Sequence, residues 1–221
     1  MTQTSYTFKG IDVGDWAGVS VASAGDVDGD GVADLIIGAP FAGSTGAETG
    51  ETYLISGADL AALDTYGGGA ADGVIELAHV AALGSGRSYE FNGTNLNDQA
   101  GYSVSSAGDV DGDGLDDLII AAMRADPNGE VSGESYLISG ADLGDLDAFG
   151  GAAQDGVIEL SDVAALTATS GGRSYQFNGI DAGDFAGRSI STAGDVDGDG
   201  LDDLIIGAPG AEPNGNDSGE S

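Results

Sequence analysis

Three nonapeptides concentrate the chemistry of this chain. Asp26-Val-Asp-Gly-Asp-Gly-Val-Ala-Asp34 places carboxylates at its positions 1, 3, 5 and 9. Asp109–Asp117 and Asp195–Asp203 both read Asp-Val-Asp-Gly-Asp-Gly-Leu-Asp-Asp and keep that spacing. A hard cation such as calcium takes about six to eight oxygen ligands. The first loop offers Asp26, Asp28, Asp30, Asp34 and the backbone carbonyl of Val32. The second offers Asp109, Asp111, Asp113, Asp117 and the Leu115 carbonyl. The third offers Asp195, Asp197, Asp199, Asp203 and the Leu201 carbonyl. Glycines such as Gly29 and Gly31 allow the backbone turns that aim these oxygens at one point. One Ca2+ per loop, three in all, is the expectation. Magnesium fits less well, because it prefers fewer protein ligands and strict octahedral geometry. The competing reading, an ion-free Asp/Gly turn, must explain why the full spacing returns three times and how the carboxylates bear their mutual repulsion. Position 12 is Ile37, Ile120 or Ile206, where an EF-hand needs a bidentate Glu. That excludes an EF-hand, and the same residue argues against a dockerin.

Composition points the same way. The chain has 221 residues, with 38 acids against 5 Lys and Arg, for a formal charge of −33. Phosphate binding needs a basic face, so no nucleic-acid partner is expected. An anionic membrane surface is equally unsuited, and no apolar run has the length to insert into a bilayer. Such a charge opposes compaction, and bound divalent cations would neutralise part of it; a solubilising acidic surface is the plainer account of the same number. Hydrophobic residues make up 41%, enough for a core. The 41 glycines against 4 prolines imply many tight turns. There are no cysteines, so disulfides and thiolate chemistry are excluded. The first residues carry no apolar signal segment.

The elements that must position the loops come in repeats. Asp26, Asp109 and Asp195 are separated by 83 and then 86 residues. Each loop is followed by Leu-Ile-Ile, a continuous apolar run that predicts a strand buried on both faces. Before the first loop, Gly18–Ala22 alternates and predicts a strand; after it, Glu51–Ile55 predicts another. Tyr6-Thr-Phe8, Tyr89-Glu-Phe91 and Tyr175-Gln-Phe177 predict short aromatic strands, each of which completes the preceding set from outside. Between the third and fourth strands lies a helical excursion. Ser56-Gly-Ala-Asp59 and Ser139-Gly-Ala-Asp142 read as capping boxes, the first opening a helix over Leu60–Leu63. The three residues added before Arg173 predict an exposed loop.

Four short strands per repeat is the pattern of a propeller blade. The fold expected is all-β: about two and a half blades, with residues 1–8 as an outer strand completing a preceding blade, 9–91 as the first blade, 92–177 as the second and 178–221 as part of a third. Two and a half blades cannot close a ring. The chain is therefore expected to be a fragment of a longer array, or to self-associate through its incomplete blades.

The Asp loop, the following Asp-Leu-Ile-Ile-Gly-Ala-Pro (Asp34–Pro40 and Asp203–Pro209) and the Ala-Gly-Asp before it resemble the FG-GAP repeat. That is the blade unit of the integrin α N-terminal β-propeller and its bacterial relatives. The resemblance implies a propeller, calcium in hairpin loops on one face, display outside the cell or on its surface, and roles in adhesion toward a protein or carbohydrate ligand. It covers nearly the whole chain apart from the excursions. Where the family has Phe-Gly, this chain has Ala17-Gly18, Ala100-Gly101 and Ala186-Gly187, with Trp16, Gln99 and Phe185 just before. The second repeat also reads Ala121-Ala-Met123 in place of Gly-Ala-Pro.

Nothing in the sequence assembles a catalytic site. His79, the single histidine, is answered in the second repeat by Asp162 and reads as a solvated helix position. Arg87 and Arg173 occupy matching places and read as ion-pair partners of nearby acids. Trp16 and Phe185 read as blade-to-blade packing groups, with sugar stacking as the functional option. The function expected is a non-enzymatic, calcium-binding propeller segment. An accessory propeller of a secreted enzyme and a stand-alone calcium buffer are the alternatives.

Overall fold

A computed structural model describes residues 5–43, 48–170, 172–212 and 218–221. Part of the Gly-rich loop expected after Pro40 lies outside the described residues.

The structure is mostly β. Strand β1 (Thr7–Lys9) is followed by β2 (Ser20–Gly25), β3 (Asp34–Ala39) and β4 (Glu51–Ile55), then helix α1 (Leu60–Asp64), β5 (Val74–Glu76) and β6 (Tyr89–Asn92). The second repeat has β7 (Ala100–Gly108), β8 (Asp117–Ala122), β9 (Glu134–Ile138), α2 (Leu143–Asp147), β10 (Val157–Glu159), α3 (Asp162–Ser170) and β11 (Tyr175–Asn178). The third has β12 (Ser189–Gly194) and β13 (Asp203–Gly207). One sheet runs β10-β6-β4-β3-β2 and the next β11-β9-β8-β7. Within each, β2-β3-β4-β6 and β7-β8-β9-β11 form antiparallel meanders, so the aromatic strand does close its meander from outside. In the third repeat, Ala208 bridges Glu220 as Ala39 pairs with Glu51 and Ala122 with Glu134.

The Leu-Ile-Ile runs behave as the period-2 geometry of a strand requires. Ile36 and Ile37 point to opposite faces and join different cores. Ile36 meets Leu54, Phe91, Val104, Leu118 and Ile120 between the first two sheets. Ile37 meets Tyr53, Ile55, Leu63, Ile75 and Val80 on the other face. Ile119 packs with Ile190 in the seam to the third repeat. In β13 the same letters leave Ile205 46% exposed, because no described sheet covers that face.

Three expectations are corrected. The first strand of the meander is β2, not Gly18–Ala22: Gly18 has φ +90° and Val19 N–H bonds back to the Trp16 carbonyl, so a turn occupies those residues and the strand runs on to the foot of the Asp loop. The capping boxes do not form. The helices are there, but Ser56 and Ser139 make no cap hydrogen bond and their hydroxyls go elsewhere. The three residues added before Arg173 do not make a loop; they lengthen a helix. In the first repeat two short 3-10 turns end at Gly84, φ +62°. In the second, Thr167 stands in that place, Asp162 sits in the first turn, where a negative charge is favourable, and α3 continues. Trp16 is 65% exposed and lies against Phe41 at a ring separation of 4.8 Å, while at the equivalent positions the Gln99 and Phe185 N–H groups donate to the Glu48 and Val131 carbonyls of the preceding repeat. Trp16, Gln99 and Phe185 share a positive φ of 53–58°, so the shifted aromatic position is a left-handed turn residue in all three repeats.

The excursions do something no local pattern announces. β5 pairs parallel with β1, and β10 pairs parallel with β6. Each excursion thus lays a strand alongside the Tyr-x-Phe strand that comes before its own repeat.

Candidate metal centre

Each acidic loop connects the first two strands of a meander, and a β-bulge just before it starts the turn. Register shifts between Ser23 and Gly25, Ser106 and Gly108, and Thr192 and Gly194. Gly25 has φ +82°, and a Cβ there would lie 2.2 Å from Asp116 Oδ2, so glycine is required on both counts.

The loop then folds on its own carboxylates. In the first, Asp26 Oδ2 accepts from Gly31 N–H at 2.9 Å, Asp28 Oδ1 from Asp30 N–H at 3.0 Å, and Asp30 Oδ1 from Val32 N–H at 2.8 Å. Asp34 closes the turn from behind, accepting from Val27 N–H at 3.0 Å and from Gly57 N–H at 2.9 Å. The second loop repeats this scheme through Asp109, Asp111, Asp113 and Asp117. The third repeats it through Asp195, Asp197, Asp199 and Asp203, without a counterpart of the Gly57 bond.

Oxygens of Asp26, Asp28 and Asp34 lie within 4.8 Å of one another, as do those of Asp109, Asp111 and Asp117, and of Asp195, Asp197 and Asp199. Asp30 and Asp113 stand outside the first two sets, and Asp203 outside the third. Such a set can hold a divalent cation. Asp26 Oδ1 tests the fit: it is buried and accepts no hydrogen bond from the described residues. A buried anionic oxygen with no partner is costly, and a cation shared with Asp28 and Asp34 would relieve it. Electrostatics agree. Burial raises the Asp34 carboxyl above its usual range, and repulsion from Asp28 and Asp30 adds to this. Burial, with Asp111 and Asp113 nearby, pushes Asp117 up to about 6.

Residues outside the loops complete the sites, and sequence reasoning missed their roles. Ser56 Oγ donates to Asp28 Oδ2 at 2.9 Å and Ser139 Oγ to Asp111 Oδ2 at 3.0 Å. Both serines lie 28 residues after their aspartate, a recurrence that could have flagged them. Asp59, expected to cap a helix, instead collects Ser85, Arg87 and Ser88. Burial works to raise its pKa, but these bonds outweigh it and hold the carboxyl below the usual range. The two arginines do make ion pairs, but bond to different acids. Arg87 Nη2 reaches Asp59 at 2.7 Å, with its Nε 3.9 Å from Asp28 Oδ2, whereas Arg173 Nη1 reaches Asp111 at 3.2 Å and Asp113 at 2.8 Å. In the second loop, then, a guanidinium already sits on two acidic oxygens.

Comparison with known proteins places these repeats. The FG-GAP repeat pattern matches residues 17–55, 100–138 and 186–221. The chain is 27% identical over 200 residues to Integrin alpha-4 of Xenopus laevis, covering 90% of this chain and 15% of that protein. It is 28% identical over 208 residues to Integrin alpha-PS5 of Drosophila melanogaster, covering 94% and 16%. It is 28% identical over 218 residues to Integrin alpha-IIb of Homo sapiens, covering 95% and 16%. The chain therefore spans only about one-sixth of the length of these relatives.

Proposed function

This chain belongs to the FG-GAP repeat family, and from that membership we propose that it is a calcium-binding segment of a β-propeller, displayed outside the cell or on its surface, with a structural and adhesive role rather than a catalytic one. In this reading residues 1–8 supply the outer strand of a preceding blade, 9–91 and 92–177 form two blades, and 178–221 form part of a third. Each loop would hold one Ca2+ through its four aspartates and the carbonyl of Val32, Leu115 or Leu201. The ion would tie the first hairpin of each blade and offset part of the −33 charge. Loops carried on the rim would face a protein or carbohydrate ligand. The integrin names of the relatives support the setting, and no helix among the described residues is long and apolar enough to cross a membrane.

The observation that carries the calcium assignment is the buried, partnerless Asp26 Oδ1 inside the Asp26–Asp28–Asp34 set. Thermal unfolding in excess EDTA and in millimolar calcium tests it. Ligand that binds only the folded state stabilises by RT ln(1 + [L]/Kd), about 1.4 kcal/mol per site at tenfold excess over Kd. A rise in midpoint with calcium is expected, and it should vanish in a triple variant with Asp28, Asp111 and Asp197 changed to Ala. An unchanged midpoint, or a shift that survives in the triple variant, would overturn the assignment.

A further inference from the structure

The three Tyr-x-Phe strands, β1, β6 and β11, each have an outer backbone edge, and on two of the three it is filled in the same way. Phe8 lies opposite Ile75 and Lys9 opposite Glu76 in the β1–β5 pair; Phe91 lies opposite Ile158 and Asn92 opposite Glu159 in the β6–β10 pair. The backbone bonds match, with Thr7 N–H donating to the Gly73 carbonyl at 2.8 Å and Glu90 N–H to the Gly156 carbonyl at 2.9 Å. The side chains close the pair alike: Lys9 Nζ meets Glu76 Oε1 at 2.9 Å, and Asn92 Nδ2 meets Glu159 Oε1 at 3.0 Å. Ile75 and Ile158 are wholly buried.

The third outer strand, β11, keeps the Tyr-x-Phe-Asn pattern but ends its sheet with no strand beside it among the described residues. Tyr175 and Phe177 are 52% and 40% exposed, against 3% and 0% for Tyr89 and Phe91. Gln176 stands where Glu90 stands and Asn178 where Asn92 stands. By that equivalence Gln176 N–H and the Asn178 carbonyl face outward, unpaired.

We propose that the free edge of β11 is a docking strand that accepts, in parallel, an extended Gly-Val-Ile-Glu-Leu segment from the excursion of another FG-GAP repeat. Val falls opposite Gln176, Ile covers Phe177, and Glu meets the Asn178 amide. The two filled edges supply direction, register and side-chain chemistry. Backbone bonds give such β-additions their affinity and the side-chain pockets their specificity. The edge also suits an acidic strand better than β6 does. Glu90 faces the like charges of Glu51, Glu159 and Asp155, whereas Gln176 is neutral.

The test uses the full chain in calcium and a synthetic peptide of residues 71–84, which carries Gly73-Val-Ile-Glu-Leu77. Titration is followed by amide chemical shifts and by anisotropy of the labelled peptide. Saturable binding is expected, with the largest shifts at residues 175–178. A peptide with Ile75→Asp should bind at least about tenfold more weakly, since a charge cannot replace the buried Ile. Gln176→Pro removes the outward donor at an edge strand, a position where proline is tolerated, and should weaken binding by a similar factor with the circular dichroism unchanged. Absence of shifts in β11 at millimolar peptide, or equal binding of a scrambled peptide, would overturn the proposal. Both readings come from the unaltered protein, so they stand even if the proline variant fails to fold.

Discussion

Asp116 of the second acidic loop accepts the backbone N–H of Asp26, in the first loop, at 2.7 Å, and its own N–H donates back to the Asp26 carbonyl at 3.1 Å. Asp202 holds Asp109 by the same pair of bonds, both at 3.1 Å. Position eight of the loop is thus a latch between neighbouring repeats. In the first loop that position is Ala33.

Removing a latch leaves a half-buried N–H without its charged acceptor. Asp116→Ala should cost about 1–2 kcal/mol, a fall of about 2–8 °C in midpoint for a chain of this size. Asp116→Asn keeps an acceptor and should recover most of it. Thermal melts in calcium measure both; a variant as stable as the parent would remove the latch from the account.

Arg173 lies on Asp111 and Asp113 at 3.2 and 2.8 Å, whereas Arg87 bonds to Asp59 at 2.7 Å and comes only within 3.9 Å of Asp28. A tethered cation on two ligand oxygens competes with a free one. Arg173→Ala should therefore tighten calcium binding at the second loop, by up to about fivefold on the scale of solvent-screened ion pairs. Arg87→Ala should tighten binding at the first loop by less than that, because only Nε, at 3.9 Å, approaches Asp28, and should lower the melting midpoint, because Asp59 loses a donor. Calorimetric calcium titration separates the two outcomes.

Glu90 sets a pH dependence. Burial, with Glu51, Glu159 and Asp155 adding repulsion, raises its pKa from an ordinary 4.5 to about 7. Between those values the folded chain holds a proton that the unfolded chain has released. The contribution to stability is present below about 4.5 and is lost as pH rises through 7. Glu90→Gln, which copies Gln176, should be more stable than the parent at pH 8 and should show a smaller change in midpoint between pH 5 and pH 8. Melts across that range check the sign.

The excursion strand is as much a part of the core as the sheets are. Ile158 is fully buried between repeats with Phe91 and Leu54. Ile158→Ala should cost about 2–4 kcal/mol, well beyond what a dangling surface loop would show in urea unfolding.

Much was legible in the letters because the physics behind it is local. The 1-3-5-9 carboxylates and their glycines specify a turn that folds on its own side chains, and the bonds from Asp26, Asp28 and Asp30 to their loop amides realise it. The Leu-Ile-Ile run reports burial on both faces, because alternating side chains of one strand must all be apolar when two seams enclose it. The Tyr-x-Phe strand and the meander order also followed from spacing. Ser56 was misread because Ser-x-x-Asp before an apolar run has a local use as a cap; only the fold brings Asp28 near enough to take its hydroxyl instead. The added residues before Arg173 looked like a loop because length alone does not say whether a glycine stop remains.

By itself, then, the sequence determined a repeated, acid-lined hairpin backed by a buried strand, since these depend on neighbours along the chain. The tertiary structure alone decided that Asp116 latches onto Asp26, that Arg173 bonds to Asp113 where Arg87 bonds to Asp59, and that Ile158 reaches back to close the preceding sheet. Those contacts join residues about 60–90 positions apart in most cases, and no periodicity encodes which side chain will meet across a seam.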